Sequence, residues 1–144
     1  MLLFQFPGVA ETWLSADDFA NLRQFVFDDA APGTFPPEDR EVFLDALRAD
    51  GALTAALNWY RANMPPASWL RDPPEPPPVT VPTMIIWGEA DSNMGTELLE
   101  RSAATVTGPL RGERLPGVSH WVQQEAPDRV NELLLDFLRG LPRA

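Results

Sequence analysis

The sequence predicts an α/β protein in two parts: helices over residues 1–63, then a strand–helix–strand–helix run with parallel strands over residues 82–144. Three observations predict it. Upstream, apolar residues recur at helical spacing. Between about Met64 and Pro82 the chain carries PP, DPPEPPP and VP, which neither a helix interior nor a central strand accepts, so residues 64–81 read as a linker. Downstream, Thr83-Met84-Ile85-Ile86-Trp87 is a short continuous apolar run bounded by Pro82 and Gly88, the pattern of a strand covered on both faces.

Ser15 followed by Asp18 resembles a helix N-cap, and Phe19, Leu22 and Val26 follow at helical spacing. A second helix is expected after Pro36 and Pro37, turning Val42, Phe43, Ala46 and Leu47 inward and stopping near Gly51. In the third, Leu53, Ala56, Leu57 and Tyr60 fall at i, i+3, i+4 and i+7, which sets Tyr60 on the aliphatic, inward face. After the apolar strand come a crossover helix over Glu97 to Ala104, a short strand over Gly112 to Leu115 and a last helix from Pro127 to Leu138. That helix carries Val130, Leu133, Leu134, Phe137 and Leu138 on one side. Two parallel strands are too few to cover both faces and both edges, so the sheet needs strands from elsewhere, from an N-terminal half or from a second copy.

Composition narrows the function. The 44% hydrophobic content of 144 residues fills a real core, and 16 prolines break the chain into short elements. Twenty-one acidic residues against 11 basic ones give a net charge of -10, which disfavours nucleic acid and anionic membrane surfaces as partners. Every basic residue is Arg, which excludes Schiff-base and P-loop lysines. Cys is absent, which excludes thiolate nucleophiles and cysteine-held metals. With a single His a zinc site is not expected, and neither metal nor organic cofactor is called for. The opening MLLFQFPG is too short to span a membrane and lacks a basic lead, so a cytoplasmic protein is the default expectation.

The chemistry collects behind the two strands. Gly88-Glu89-Ala90-Asp91 puts a carboxylate in the loop after the first, and Gly117-Val118-Ser119-His120-Trp121 puts the lone imidazole after the second. Parallel strands bring both loops to one edge, where open α/β sheets bind and catalyse. The two residues lie 29 positions apart, enough for one crossover. A carboxylate bonded to the far ring nitrogen fixes the tautomer that a general base needs. A plainer role fits the same residues, with Asp91 capping the next helix and His120 a surface loop residue. Ser119 lacks the Gly-x-Ser-x-Gly elbow of a nucleophile and reads as structural. Trp87 and Trp121 could line a pocket, although an aromatic next to a strand end is more often simple packing. For Tyr60, the only tyrosine, the plain alternative is a core aromatic with its hydroxyl tied to a backbone carbonyl.

From FQFPGVAE, through LNWYRAN, to PTMIIWGEAD and LPGVSHWVQQEAPDRVNELLLDFL, the chain resembles the epoxide hydrolase branch of the α/β-hydrolases across nearly its whole length. The resemblance implies a partial α/β-hydrolase fold, a helical cap followed by the last βαβα segment of the parallel sheet. It implies Asp91 as the triad acid, His120 as general base, and Tyr60 as one of two cap tyrosines that bond an epoxide oxygen, with Trp59 and Trp121 against the substrate. The expected partner is a small hydrophobic epoxide, or a halogenated substrate if the chain is dehalogenase-like, held between cap and sheet edge. The family's aspartate nucleophile on a glycine-rich elbow and its His-Gly oxyanion loop have no counterpart here, so the chain alone is expected to be inactive. Met1 falls immediately after the place of the second cap tyrosine, which reads as an internal methionine of a longer frame. Either a truncated product that self-associates or a half that pairs with a separately made N-terminal half would fit.

Overall fold

Gly8 opens the first long helix because its backbone sits at φ 80°, where a side chain is disfavoured. In the computed structural model, which describes residues 2–71 and 75–142, that helix is α1 (Val9–Val26). Met1 and residues 72–74 of the expected linker lie outside the described residues. Glu11 completes the cap by accepting the Gly8 N–H at 2.7 Å. Helix α1 therefore starts well before the Ser15 cap that the sequence suggests. Residues 16–19 are instead a break inside it, with Asp17, Asp18 and Phe19 at φ 49°, 53° and 62°. Asp tolerates this left-handed region better than most residues. The break is held by Arg23 and Arg48 on the Asp18 carboxylate, at 2.9 and 2.6 Å, and by Asn21 Nδ2 donating to the Trp13 carbonyl at 2.9 Å.

Helix α2 (Pro37–Arg48) has Pro in its first turn, where the missing N–H is not needed, and α3 (Ala52–Asn63) follows Gly51 at φ 75°. The inward face of α2 is not the expected one. Val42 and Phe43 are 68% and 48% exposed and Ala46 is exposed, while Leu44 is fully buried. Apolar residues at 42, 43, 44, 46 and 47 cover more than half the helix circumference, so spacing alone does not select the buried stripe. On α3, Leu57 is buried and Leu53 and Tyr60 half-buried, but Ala56 is exposed. The Tyr60 ring packs edge-on against Phe4 and Trp59, with centroids 5.2 and 5.1 Å away. Arg61 ties α3 to α1 through Glu11 at 2.8 Å and to the preceding 3-10 turn through the Phe4 carbonyl at 2.7 Å. These helices form one compact unit, Met1–Asp28 with Phe35–Glu75. The start of the expected linker is ordered as a 3-10 turn at Pro66–Leu70, possible because Pro66 stands in its first turn.

The second unit is Asp29–Thr34 with Pro76–Ala144. Strands β1 (Thr83–Gly88) and β2 (Leu110–Leu115) pair in parallel with Gly88 opposite Leu115, and α4 (Thr96–Ala104) is their crossover. Val79 and Val106 add a parallel bridge ahead of them, so pairing reaches into the end of the linker. A short α5 (Val122–Glu125) precedes α6 (Pro127–Arg139). Leu115, Val130 and Leu133 form the core, with Met84, Ile86, Val118 and Val122 packed on it. Residues 83–87 are only half-buried rather than covered on both faces, because the described sheet has two strands and its outer edges carry no ladder. For the same reason Leu134 and Leu138 of α6, expected inside with Leu133, are 40% and 58% exposed. No helix among the described residues is long and apolar enough to cross a membrane.

Candidate functional site

The site of the second unit is built where β1 and β2 end side by side. Leu115 accepts the Glu89 N–H at 3.1 Å, and after the turn at Gly117 (φ 74°) the Val118 carbonyl accepts the Ala90 N–H at 2.9 Å. The two loops can approach this closely because residue 88 is glycine. A Cβ there would stand 2.1 Å from the Ser119 carbonyl oxygen and 2.4 Å from that of Val118, both backbone atoms with little freedom to move.

Within that arrangement Asp91 Oδ2 lies 2.9 Å from His120 Nδ1. The other oxygen, Oδ1, accepts the backbone N–H groups of Asn93 and Met94, both at 2.9 Å. The loop thus orients the carboxylate from its own backbone, as Asp does in tight turns. Asp91 is 8% exposed at its side chain and His120 35%. Burial pushes the Asp91 carboxyl up, but the His120 hydrogen bond and the Met94 and Asn93 amides outweigh it and hold the group below the usual aspartate range. An ionised Asp91 accepts the Nδ1 proton, which leaves the lone pair on Nε2. A neutral imidazole fixed in that tautomer can take a proton from water and return it.

Asp91 and His120 are therefore brought together in one unit. Tyr60, in the other unit, makes ring contacts, and its hydroxyl has no hydrogen-bond partner among the described residues. Trp59 is 61% exposed beside it. Trp121 stands next to His120, ring to ring at 5.5 Å and 83°. Trp87 lies on β1, half-buried. Ser119 donates its hydroxyl and its N–H to the Glu125 carboxylate, the latter at 2.7 Å, so its oxygen is engaged in holding the turn. No group of three or more His, Asp or Glu that could hold a metal occurs among the described residues.

Sequence reasoning missed Glu125 and Asp29. Asp29 accepts the Ser92 hydroxyl at 2.9 Å and the Asn93 side-chain amide at 2.5 Å, and Ala31 donates to Glu125 at 3.4 Å. The one available signal was the Ala126-Pro127 boundary. It ends a single helical turn at Glu125 and so points that carboxylate back toward residue 119.

No family model matches the chain. Among curated proteins it is similar to "Epoxide hydrolase 3" of Xenopus tropicalis, 34% identical over 96% of the chain and 38% of the relative. Among solved structures it is similar to epoxide hydrolase A of Mycobacterium thermoresistibile, with a TM-score of 0.77 and 30% identity over 99% of the chain and 52% of that protein. It is similar also to the Bacillus megaterium epoxide hydrolase in complex with an inhibitor, with a TM-score of 0.76 and 27% identity over 94% of the chain and 49% of that protein. The chain spans about half or less of the length of the proteins it matches, and the matched part is their C-terminal half.

Proposed function

We propose that this chain, which matches the C-terminal half of epoxide hydrolases of α/β-hydrolase fold, supplies the acid, the base and one oxygen-binding phenol of an enzyme that opens epoxides to diols. The observation that carries the proposal is the 2.9 Å bond between His120 Nδ1 and an Asp91 carboxylate already anchored by two backbone amides. A helix-capping Asp has no need of the imidazole, and a surface His has no need of a buried acceptor.

In this reading an aspartate from outside these 144 residues attacks an epoxide carbon. The C–O bond breaks, and the oxygen takes its proton from the Tyr60 hydroxyl, which is left as a phenolate. His120 Nε2 then removes a proton from the water that attacks the resulting ester. Asp91 holds the imidazolium until it protonates the departing diol oxygen, and the second proton of the water passes from the released carboxyl group to the Tyr60 phenolate, so that nucleophile, base and phenol are all restored. The Tyr60 hydroxyl, which has no hydrogen-bond partner among the described residues, supports its role. A cap over residues 1–63, a linker over 64–81, and Trp59 and Trp121 as substrate contacts belong to the same proposal. The substrate class is a small hydrophobic epoxide; a haloalkane or haloacid would use the same Asp91–His120 pair.

The test pairs the chain with an N-terminal half that supplies the aspartate, and offers a styrene-oxide-like substrate. His120→Ala should consume about one equivalent of epoxide and stop at the ester, with diol release lower by at least about 10²-fold. Undiminished turnover without His120 would defeat the proposal, and diol production by the chain alone would defeat the external nucleophile.

A second reading has its own observation. The two-stranded sheet with unpaired outer edges and the exposed Leu134, Leu135 and Leu138 fit a surface that pairs with an N-terminal half or with another copy. Size-exclusion chromatography of the chain should then show a self-associated species that dissociates when such a half is added; a monomer indifferent to it would count against this reading.

A further inference from the structure

Two carboxylates outside the Asp91–His120 pair are bonded to the turns that carry it. Glu125 takes both donors of Ser119, the N–H at Oε2 at 2.7 Å and the hydroxyl at Oε1, and it also accepts the Ala31 N–H at 3.4 Å. Asp29 takes Ser92 and Asn93, the two residues that follow Asp91. The short stretch Asp29–Thr34 is thereby joined to both loops, through Asp29 to the Asp91 loop and through Ala31 and Glu125 to the His120 loop. Hydrogen bonds to an ionised acceptor are the stronger kind, and two of them from one residue fix both its backbone and its side-chain rotamer. Ser119 immediately precedes His120, so fixing it fixes the backbone from which the imidazole projects. The Ser119 carbonyl is also the atom that a side chain at position 88 would meet, so the turn sits where residue 88 must be glycine.

We infer that Glu125 is a positioning residue for His120, setting the direction in which Nδ1 meets Asp91, and that Asp29 does the same for the Asp91 loop. The inference rests on Asp91 and His120 being the proton-handling pair. Groups that orient a functional histidine commonly lie one shell out from it and act through geometry rather than through contact with the reacting atoms. Here that shell is built from a carboxylate 6 positions after Ser119 and, bonded to it, a chain segment 94 positions before it.

His120 is the only histidine, so the ring nitrogens of the chain labelled with ¹⁵N-histidine report on it without assignment. With the imidazole uncharged, the wild-type chain should show two well-separated signals, a protonated Nδ1 and an unprotonated Nε2. Glu125→Ala should merge them toward an exchange-averaged position while circular dichroism stays at the wild-type level. Glu125→Gln keeps an acceptor for the Ser119 N–H and should restore the separation. A Glu125→Ala chain with wild-type separation overturns the inference. If that variant fails to fold, hydrogen exchange of the Ser119 amide in the wild-type chain decides: protection supports the clamp, and exchange at the rate of an open loop overturns it. Asp91→Asn keeps the two failures apart, since unchanged His120 signals in that variant sink the Asp91–His120 pair itself, whatever Glu125 does.

Discussion

Replacing Gly88 by Ala tests how closely the two loops depend on one another. The added methyl would stand 2.1 Å from the Ser119 oxygen, 2.4 Å from the Val118 oxygen and 2.9 Å from the Val118 carbonyl carbon, and ordinary contact begins near 3.4 Å. About 1.3 Å of separation must open against backbone on the Ser119 side. A shift of that size takes the 2.9 Å bond from the Ala90 N–H to the Val118 carbonyl past the range of a hydrogen bond, and it moves the residue that precedes His120. Overpacking plus one lost backbone bond amounts to about 2–4 kcal/mol. With an m-value of about 2 kcal/mol/M, the urea midpoint of the second unit should fall by about 1–2 M. Urea titration followed by the ¹⁵N signals of His120 measures both effects, because the turn and the ring report separately. A Gly88→Ala chain with a wild-type midpoint and a wild-type imidazole spectrum would refute the close-approach explanation of this site.

Leu133 is 1% exposed in the core of the second unit, so Leu133→Ala should destabilise that unit by about 2–5 kcal/mol in chemical denaturation. Arg61 holds the Glu11 carboxyl down to about 2 against an ordinary value of 4.5. A group depressed in the folded state stabilises above its unfolded pKa and loses that stabilisation as pH falls. The difference in denaturation midpoint between wild type and Glu11→Gln should therefore be full above pH 4.5 and shrink progressively toward pH 2. Tyr60→Phe removes a hydroxyl that has no partner among the described residues, so a thermal melt should register a change within about 0.5 kcal/mol even though the reconstituted enzyme loses rate.

The elements were legible in the sequence where chemistry marks them. Pro82 and Gly88 bracket β1, Pro37 and Pro127 open α2 and α6, and the break of hydrophobic period after the proline run separates helices from sheet. Faces were less legible. Leu44 lies inside and Val42 outside, a choice made by tertiary packing among residues that are all apolar. The break in α1 carries neither Gly nor Pro, only a pair of aspartates, so nothing local announces three successive left-handed residues. At the site, the meeting of residues 91 and 120 follows from two loops leaving parallel strands at the same end, which a sequence displays. The roles of Asp29 and Glu125 rest on hydrogen bonds between turns distant along the chain, and no periodicity records those.

The crossover from β1 through α4 to β2 has a consequence for how readily this protein can be altered. Among the described residues, the hydrogen bonds that orient Asp91 and His120 come from Asp29–Thr34 or from residues after Pro76, and none comes from α1, α2 or α3. The geometry of the Asp91–His120 pair is thus set within one of the two units. Substitutions on the exposed faces of the helices on either side of the 29–34 stretch should therefore leave the pairing of imidazole and carboxylate in place.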